Sequence, residues 1–157
     1  MKNIVLIGGG NQAHCAIDII KKEGIYNIVG IIDSLHDVGS ERFGYKILGR
    51  QEDILVLKQQ YDIDAGLIAI GDNWGRYRVY NEIIKVIPGF EFVNAIHPSA
   101  VIGSNVDLGV GIIISAGCII NPRTIIEDFT LFVTGALIEH DSHVKEFASV
   151  SVGSVTG

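Results

Sequence analysis

Residues 96–155 divide into ten blocks of six: IHPSAV (96–101), IGSNVD, LGVGII, ISAGCI, INPRTI, IEDFTL, FVTGAL, IEHDSH, VKEFAS and VSVGSV (150–155). Every block opens on a large apolar residue: Ile96, Ile102, Leu108, Ile114, Ile120, Ile126, Phe132, Ile138, Val144 and Val150. Its fifth residue is small or β-branched: Ala100, Val106, Ile112, Cys118, Thr124, Thr130, Ala136, Ser142, Ala148 and Ser154. A helix repeats its apolar face about every 3.6 residues and a half-buried strand every 2. A pure step of six fits neither. It fits a chain wound into a three-sided prism, in which three short strands make one coil of about eighteen residues. The large side chain then points inward from each face, and the small one fits the crowded turn. Residues 96–157 are therefore expected to form a parallel β-helix.

Upstream the period changes. Residues 2–7 (KNIVLI) are an apolar run that stops at Gly8-Gly9-Gly10, and 12–22 read as a helix with Ala13, Ala16, Ile17 and Ile20 on one face. A second strand covers 28–32 and ends at Asp33. A polar loop follows, then a helix over 52–60, a strand over 66–70, a helix over roughly 75–87 and a fourth strand at 90–93. Alternating apolar strands and amphipathic helices predict a parallel sheet with right-handed crossovers. Residues 1–95 are thus expected to be a small Rossmann-like α/β domain. The boundary is expected near Asn94–Pro98, where Pro98 stiffens the turn.

With 157 residues, 48% hydrophobic and 19% charged, the chain can bury a sizeable core. A net charge of −6 argues against a nucleic-acid partner, since nothing here neutralises phosphates in bulk. One phosphorylated small molecule held by backbone amides remains compatible with that charge. Cys15 and Cys118 match no metal or redox spacing, and Cys118 sits in the small-residue row, so a buried free thiol and a reducing cytoplasm are expected. No metal site, signal peptide or membrane span is read.

Two constellations carry chemistry. Gly8, Gly10 and Ala13 satisfy G-x-G-x-x-A between a strand and a helix, and Asp33 ends the second strand. Glycines let amides approach a phosphate, the helix start favours an anion, and a carboxylate there can take ribose hydroxyls. About four strands make half a dinucleotide site, so one nucleotide is the expected ligand. Gly71, Asp72 and Asn73 end the third strand on the same rim, although an Asx turn explains Asp72 and Asn73 equally well. The second constellation is Ile138-Glu139-His140-Asp141. A histidine flanked by carboxylates at a turn can be held in one tautomer and serve as a general base. A solvated charged corner is the plain alternative. His143 is a competing base, and His97 before Pro98 looks structural.

On VLIGGGNQAH, GIID, AIGDN, AIHPSAVIG and TGALIEHDSHVKEFASVSVG, the chain resembles the sugar O- and N-acyltransferases of the sialic-acid O-acetyltransferase type. Within them it looks most like the acetyltransferases of a nucleotide-linked amino sugar, of the UDP-4-amino-sugar kind. The resemblance implies a nucleotide-sugar-binding α/β domain and a left-handed β-helix of hexapeptide repeats that forms a homotrimer. It implies acetyl-CoA as acyl donor, bound between β-helices. It implies His140 as general base, Asp141 as the acid that orients it, and Gly8, Gly9, Gly10, His14 and Asp33 against the nucleotide sugar. Three features depart from the pattern. Val133 stands where Asn is usual, Ser149 stands where a second histidine is usual, and the prism runs only a little over three coils to Gly157. A β-helix shortened at its C-terminal end is the corresponding expectation.

The function read from the sequence is acetyl-CoA-dependent acetylation of the amine of a nucleotide-linked sugar, for surface glycan synthesis in the cytoplasm. A nucleotide-sugar-binding remnant without acyl transfer is the second reading. An NAD-linked oxidoreductase, suggested by G-x-G-x-x-A with Asp33, is the third.

Overall fold

The computed structural model describes residues 1–157. The run KNIVLI forms strand β1 (Lys2–Ile7), which joins β2 (Tyr26–Ile32), β3 (Glu41–Arg42), β4 (Tyr45–Gly49) and β5 (Ala65–Ile68) in a five-stranded sheet of order β3-β4-β2-β1-β5. Ile4 and Leu6 face one side with Ala13, Ala16, Ile17 and Ile20 of helix α1 (Asn11–Glu23). Val5 and Ile7 face the other, against Ile54 and Leu57 of α2 (Ile54–Gln60) and Val79 and Ile83 of α3 (Asn73–Val86). All four β1 residues are fully buried, as expected of a parallel strand covered on both faces. β1 pairs in parallel with β2 (Tyr26–Ile32) and with β5 (Ala65–Ile68). Helix α1 ends at Gly24, whose left-handed φ of 68° lets its N–H reach back to Ile20.

Two expectations are corrected here. The polar loop after Asp33 contains a hairpin: β3 (Glu41–Arg42) runs antiparallel to β4 (Tyr45–Gly49), and β4 adds to β2 in parallel. Its turn, Phe43-Gly44, has φ of 53° and 85°, the left-handed pair of a tight hairpin. Phenylalanine tolerates that position because its ring stacks on His14 at 4.5 Å and lies under the Arg42 guanidinium at 4.7 Å. The expected fourth strand at 90–93 is only a bridge, Gly66 to Phe92. The Asn94 side chain next accepts from the Ile112 amide (2.9 Å) and donates to the Gly109 carbonyl (2.9 Å), turning the chain into the prism.

From Ala95 onward eleven two-residue strands, β6 (Ala95–Ile96) to β16 (Val155–Thr156), stack into three parallel sheets. Pairing joins residues eighteen apart, Ile96 with Ile114 and Ile114 with Phe132, Ile120 with Ile138, and Ile126 with Val144. The six-step row fills the interior: Ile114, Ile120, Ile126, Phe132 and Ile138 form one cluster with Ile112, Cys118 and Ala136 of the small row. This is the left-handed β-helix of the hexapeptide repeat.

Each corner needs one residue of left-handed backbone. Asn105, Arg123 and Asp141 stack at one edge, Gly117, Gly135 and Gly153 at the second, and Gly111, Phe129 and Phe147 at the third. A side chain at Gly111 would meet the Phe129 ring at 2.3 Å, so glycine there makes room for the aromatic one coil on. Phe129 and Phe147 stack at 5.1 Å and meet Tyr80 of α3; Phe129 also meets Phe92. Packing thus offsets the backbone strain of left-handed phenylalanine.

Arg76 joins that edge to the sheet. Its side chain is 1% exposed and donates to the carbonyls of Ile70, Gly71, Phe129, Phe147 and Ala148 and to Ser149 Oγ, at 2.8–3.2 Å. Arg76→Met keeps the volume but strands buried carbonyls without a donor. It should cost about 3 kcal/mol or more in urea unfolding, while Arg76→Lys should lose less.

Candidate active site

The glycine turn is shaped by contact. Gly8 has φ of 111°, and a Cβ there would lie 2.7 Å from Ile70 and 2.9 Å from the Ala69 carbonyl oxygen. At Gly9 a Cβ would press on Asp33 and His36 at 3.3 Å, whereas space over Gly10 is open. Gly10 starts α1 with no side-chain cap and no acid in the first turn, leaving the first amides free for an anion. These residues line a cavity of about 250 Å³ with Asp33, Leu35, Gln51, Gly71, Gly75 and Arg78. A second hollow of about 390 Å³ lies between α1 and the prism, lined by Gln12, His14, Cys15, Asp18, His97, Ser115, Val133 and Thr134. Gln12 borders both.

Asp33 is 6% exposed and heavily bonded. It accepts from the amides of Gly9 (3.3 Å), Leu35 (3.3 Å) and His36 (3.0 Å), and from the His36 ring. Burial pushes its carboxyl up, but the His36 ring and the Gly9 and His36 amides outweigh that and hold it below the ordinary 3.8. Asp33 thus ties the glycine turn to the following loop. Arg50 pins the same loop by donating to the Asp33 (2.8 Å) and His36 (2.9 Å) carbonyls. Arg42 donates to the Gly9 carbonyl at 3.1 Å and brings a cation to the glycine turn. Arg42, Arg50 and Arg78 are absent from the sequence reading. Gly44 in a two-residue turn was the available signal for the hairpin that carries Arg42.

Gly71 lines the nucleotide-sized cavity, but its two followers do not. Asp72 caps α3, accepting from the Gly75 amide at 2.6 Å, and Asn73 borders an aromatic hollow with Trp74, Tyr77 and Phe147. His14 lines the second hollow, stacked on Phe43. Among the competing histidines, His97 Nδ1 accepts from the Ser99 amide at 3.0 Å, and His143 Nε2 meets Glu127 Oε1 at 2.6 Å, an oxygen shared with Lys145. Ser149 is bonded to Arg76, and Val133 lines the second hollow. No group of three or more His, Cys, Asp or Glu is arranged to hold a metal ion.

His140 stands at the corner that ends β13 (Leu137–Ile138), on a different edge from both cavities. Its Nδ1 meets Asp141 Oδ2 at 2.5 Å, its amide donates to Glu139 Oε2 at 3.3 Å, and its side chain is 64% exposed. An imidazole with Nδ1 on a carboxylate carries its proton there, leaving Nε2 as the acceptor. Asp141 also accepts two bonds from Arg123, at 2.7 Å each. Arg123 first and His140 second hold the Asp141 carboxyl far below the usual aspartate range.

Because Asp33 is lowered in the folded state, its contribution to stability is complete above the ordinary aspartate value. That contribution is lost as pH falls through 3.8 toward the folded value. Asp33→Asn should therefore lower the melting midpoint near pH 7 and flatten the acid limb of its pH dependence, read by calorimetry from pH 3 to 7.

The profile of the PglD N-terminal domain matches residues 3–83. A mutant GDP-perosamine N-acetyltransferase from Caulobacter crescentus, in complex with CoA and GDP-perosamine, superposes with a TM-score of 0.89 at 30% identity. That match covers 99% of this chain and 71% of that one. PerB from the same organism, with the same two ligands, gives 0.84 at 31% identity over 95% and 68%. The acetyltransferase domain of PglB from Neisseria gonorrhoeae, bound to acetyl coenzyme A, gives 0.82 at 21% over 98% and 72%, a likeness of fold. With a glycine-turn α/β unit, a six-residue prism and these matches, the chain belongs to the PglD-type family of hexapeptide-repeat sugar N-acetyltransferases.

Proposed function

We propose that this protein transfers the acetyl group of acetyl-CoA to the amine of a nucleotide-linked amino sugar, for surface glycan synthesis. The observation that carries the reading is the His140–Asp141 pair, an exposed imidazole with Nδ1 on a carboxylate. Residues 1–95 hold the nucleotide sugar and residues 96–157 present the base. Gly8, Gly9, Gly10 and Gly71 receive the diphosphate and ribose with Asp33 ordering the turn, Arg42 supplies positive charge, and His14 lies toward the sugar. The sugar nitrogen attacks the thioester carbonyl, and His140 Nε2 takes its proton. Collapse of the tetrahedral adduct forms the amide and releases CoA as thiolate, which recovers the proton from His140. Asp141 holds the imidazole in the accepting tautomer and stabilises its charged form.

His140 borders neither cavity of its own chain, which favours a homotrimer in which the base of one copy meets the sugar held by its neighbour. No helix is long and apolar enough to cross a membrane, and a cytoplasmic location suits the donor. His140→Ala should lower turnover about a hundredfold or more with nucleotide-sugar affinity kept, and His143→Ala should leave turnover near wild type. Turnover that survives His140→Ala would remove this residue from the mechanism. Calorimetry should give heat with acetyl-CoA and with one of UDP or GDP; heat with the nucleotide alone would favour the binding-only reading. Native mass spectrometry should report three copies, and a monomer would sink the shared site.

A further inference from the structure

Asp141 has a second partner, and it comes from the neighbouring coil. Asn105, Arg123 and Asp141 occupy the same left-handed position of one prism edge, with φ of 57°, 60° and 59°. Arg123 therefore lies one coil before Asp141, at the same corner. Its Nε donates to Oδ1 and its Nη2 to Oδ2, both at 2.7 Å. Oδ2 is also the oxygen that meets His140 Nδ1 at 2.5 Å. An ion pair whose side chains are 60% and 51% exposed contributes little to stability. What a two-point fork does contribute is geometry, because it fixes the plane of the carboxylate where a single bond would leave it free to turn.

We propose that Arg123 is a positioning residue for acyl transfer: it holds the Asp141 carboxylate with Oδ2 toward His140 Nδ1. This sets the tautomer. A carboxylate free to turn would let the ring proton move to Nε2, which would then no longer accept. The inference rests on His140 as the base, but its primary readout does not need turnover.

The decisive measurement is nitrogen-15 NMR of the His140 ring in the full chain, with the signal assigned through His140→Ala. In the wild type the ring should carry its proton on Nδ1. In Arg123→Gln, which removes the charge and the fork but keeps a flexible polar side chain at the left-handed position, the two tautomers should mix. Arg123→Lys keeps the charge but not the two-point fork, and should restore only part of the tautomer preference. With GDP-perosamine and acetyl-CoA as probes, Arg123→Gln should lower kcat about tenfold with both KM values within twofold. An Arg123→Gln ring with unchanged tautomer overturns the inference and leaves His140 as base. Equal loss in the Gln and Lys variants, with a lowered melting midpoint in both, also overturns it by assigning Arg123 a structural role. Moved NMR signals together with a fully active His140→Ala would instead overturn the reading of His140 itself.

Discussion

A single buried guanidinium holds the two halves of this molecule in fixed relation. Arg76 lies in α3, just after the end of β5, and reaches the prism edge formed by Phe129, Phe147, Ala148 and Ser149. Burial pushes its guanidinium down from the ordinary arginine value, and nearby Asp72 pushes it back up. A cation removed from water needs its donors filled, and Arg76 fills them with main-chain carbonyls from both sides of the join. Two of these, at Ile70 and Gly71, belong to the rim of the nucleotide-sized cavity. The same contact that closes the fold therefore sets where that rim stands against the β-helix.

Around Arg76 the join is aromatic. Phe129 and Phe147 sit where a corner requires left-handed backbone, a place the other two edges fill with glycine or with short or flexible polar residues. Their rings gain Tyr80, and Phe129 gains Phe92, so a local cost is offset by tertiary packing. The hairpin repeats this device: Phe43 takes a left-handed turn position and stacks on His14. In both cases the strained residue lies at a boundary between elements rather than inside one.

The chemistry divides along the same lines. A glycine turn, an uncapped helix start and the Arg42 cation suit a diphosphate at one end of the sheet. The imidazole with its carboxylate and guanidinium stands on another edge of the prism and faces solvent. Ser149 is bonded to Arg76 and so belongs to the join between the halves.

The six-residue step was legible in the sequence because every coil repeats the same burial demand, and no other regular structure asks for an apolar residue at that interval. The glycine turn and the paired carboxylate at His140 were legible for a similar reason: each is a local need met by adjacent residues. The hairpin at 41–49 was only faintly legible, since Gly44 marks a turn but Phe43-Gly44 lacks the Asn-Gly signature, and its strain is relieved by Arg42 beside it and by His14, far away in sequence. Arg76 read as an ordinary helix arginine, because four of its six acceptors lie 53 to 73 residues further on. Arg123 met Asp141 only once the coil had closed. The sequence by itself determined the repeating elements, whose periodicity is a property of neighbours along the chain. Only the tertiary structure decided which charges meet, because carbonyl and carboxylate partners are chosen by approach in space, on which composition and spacing are silent.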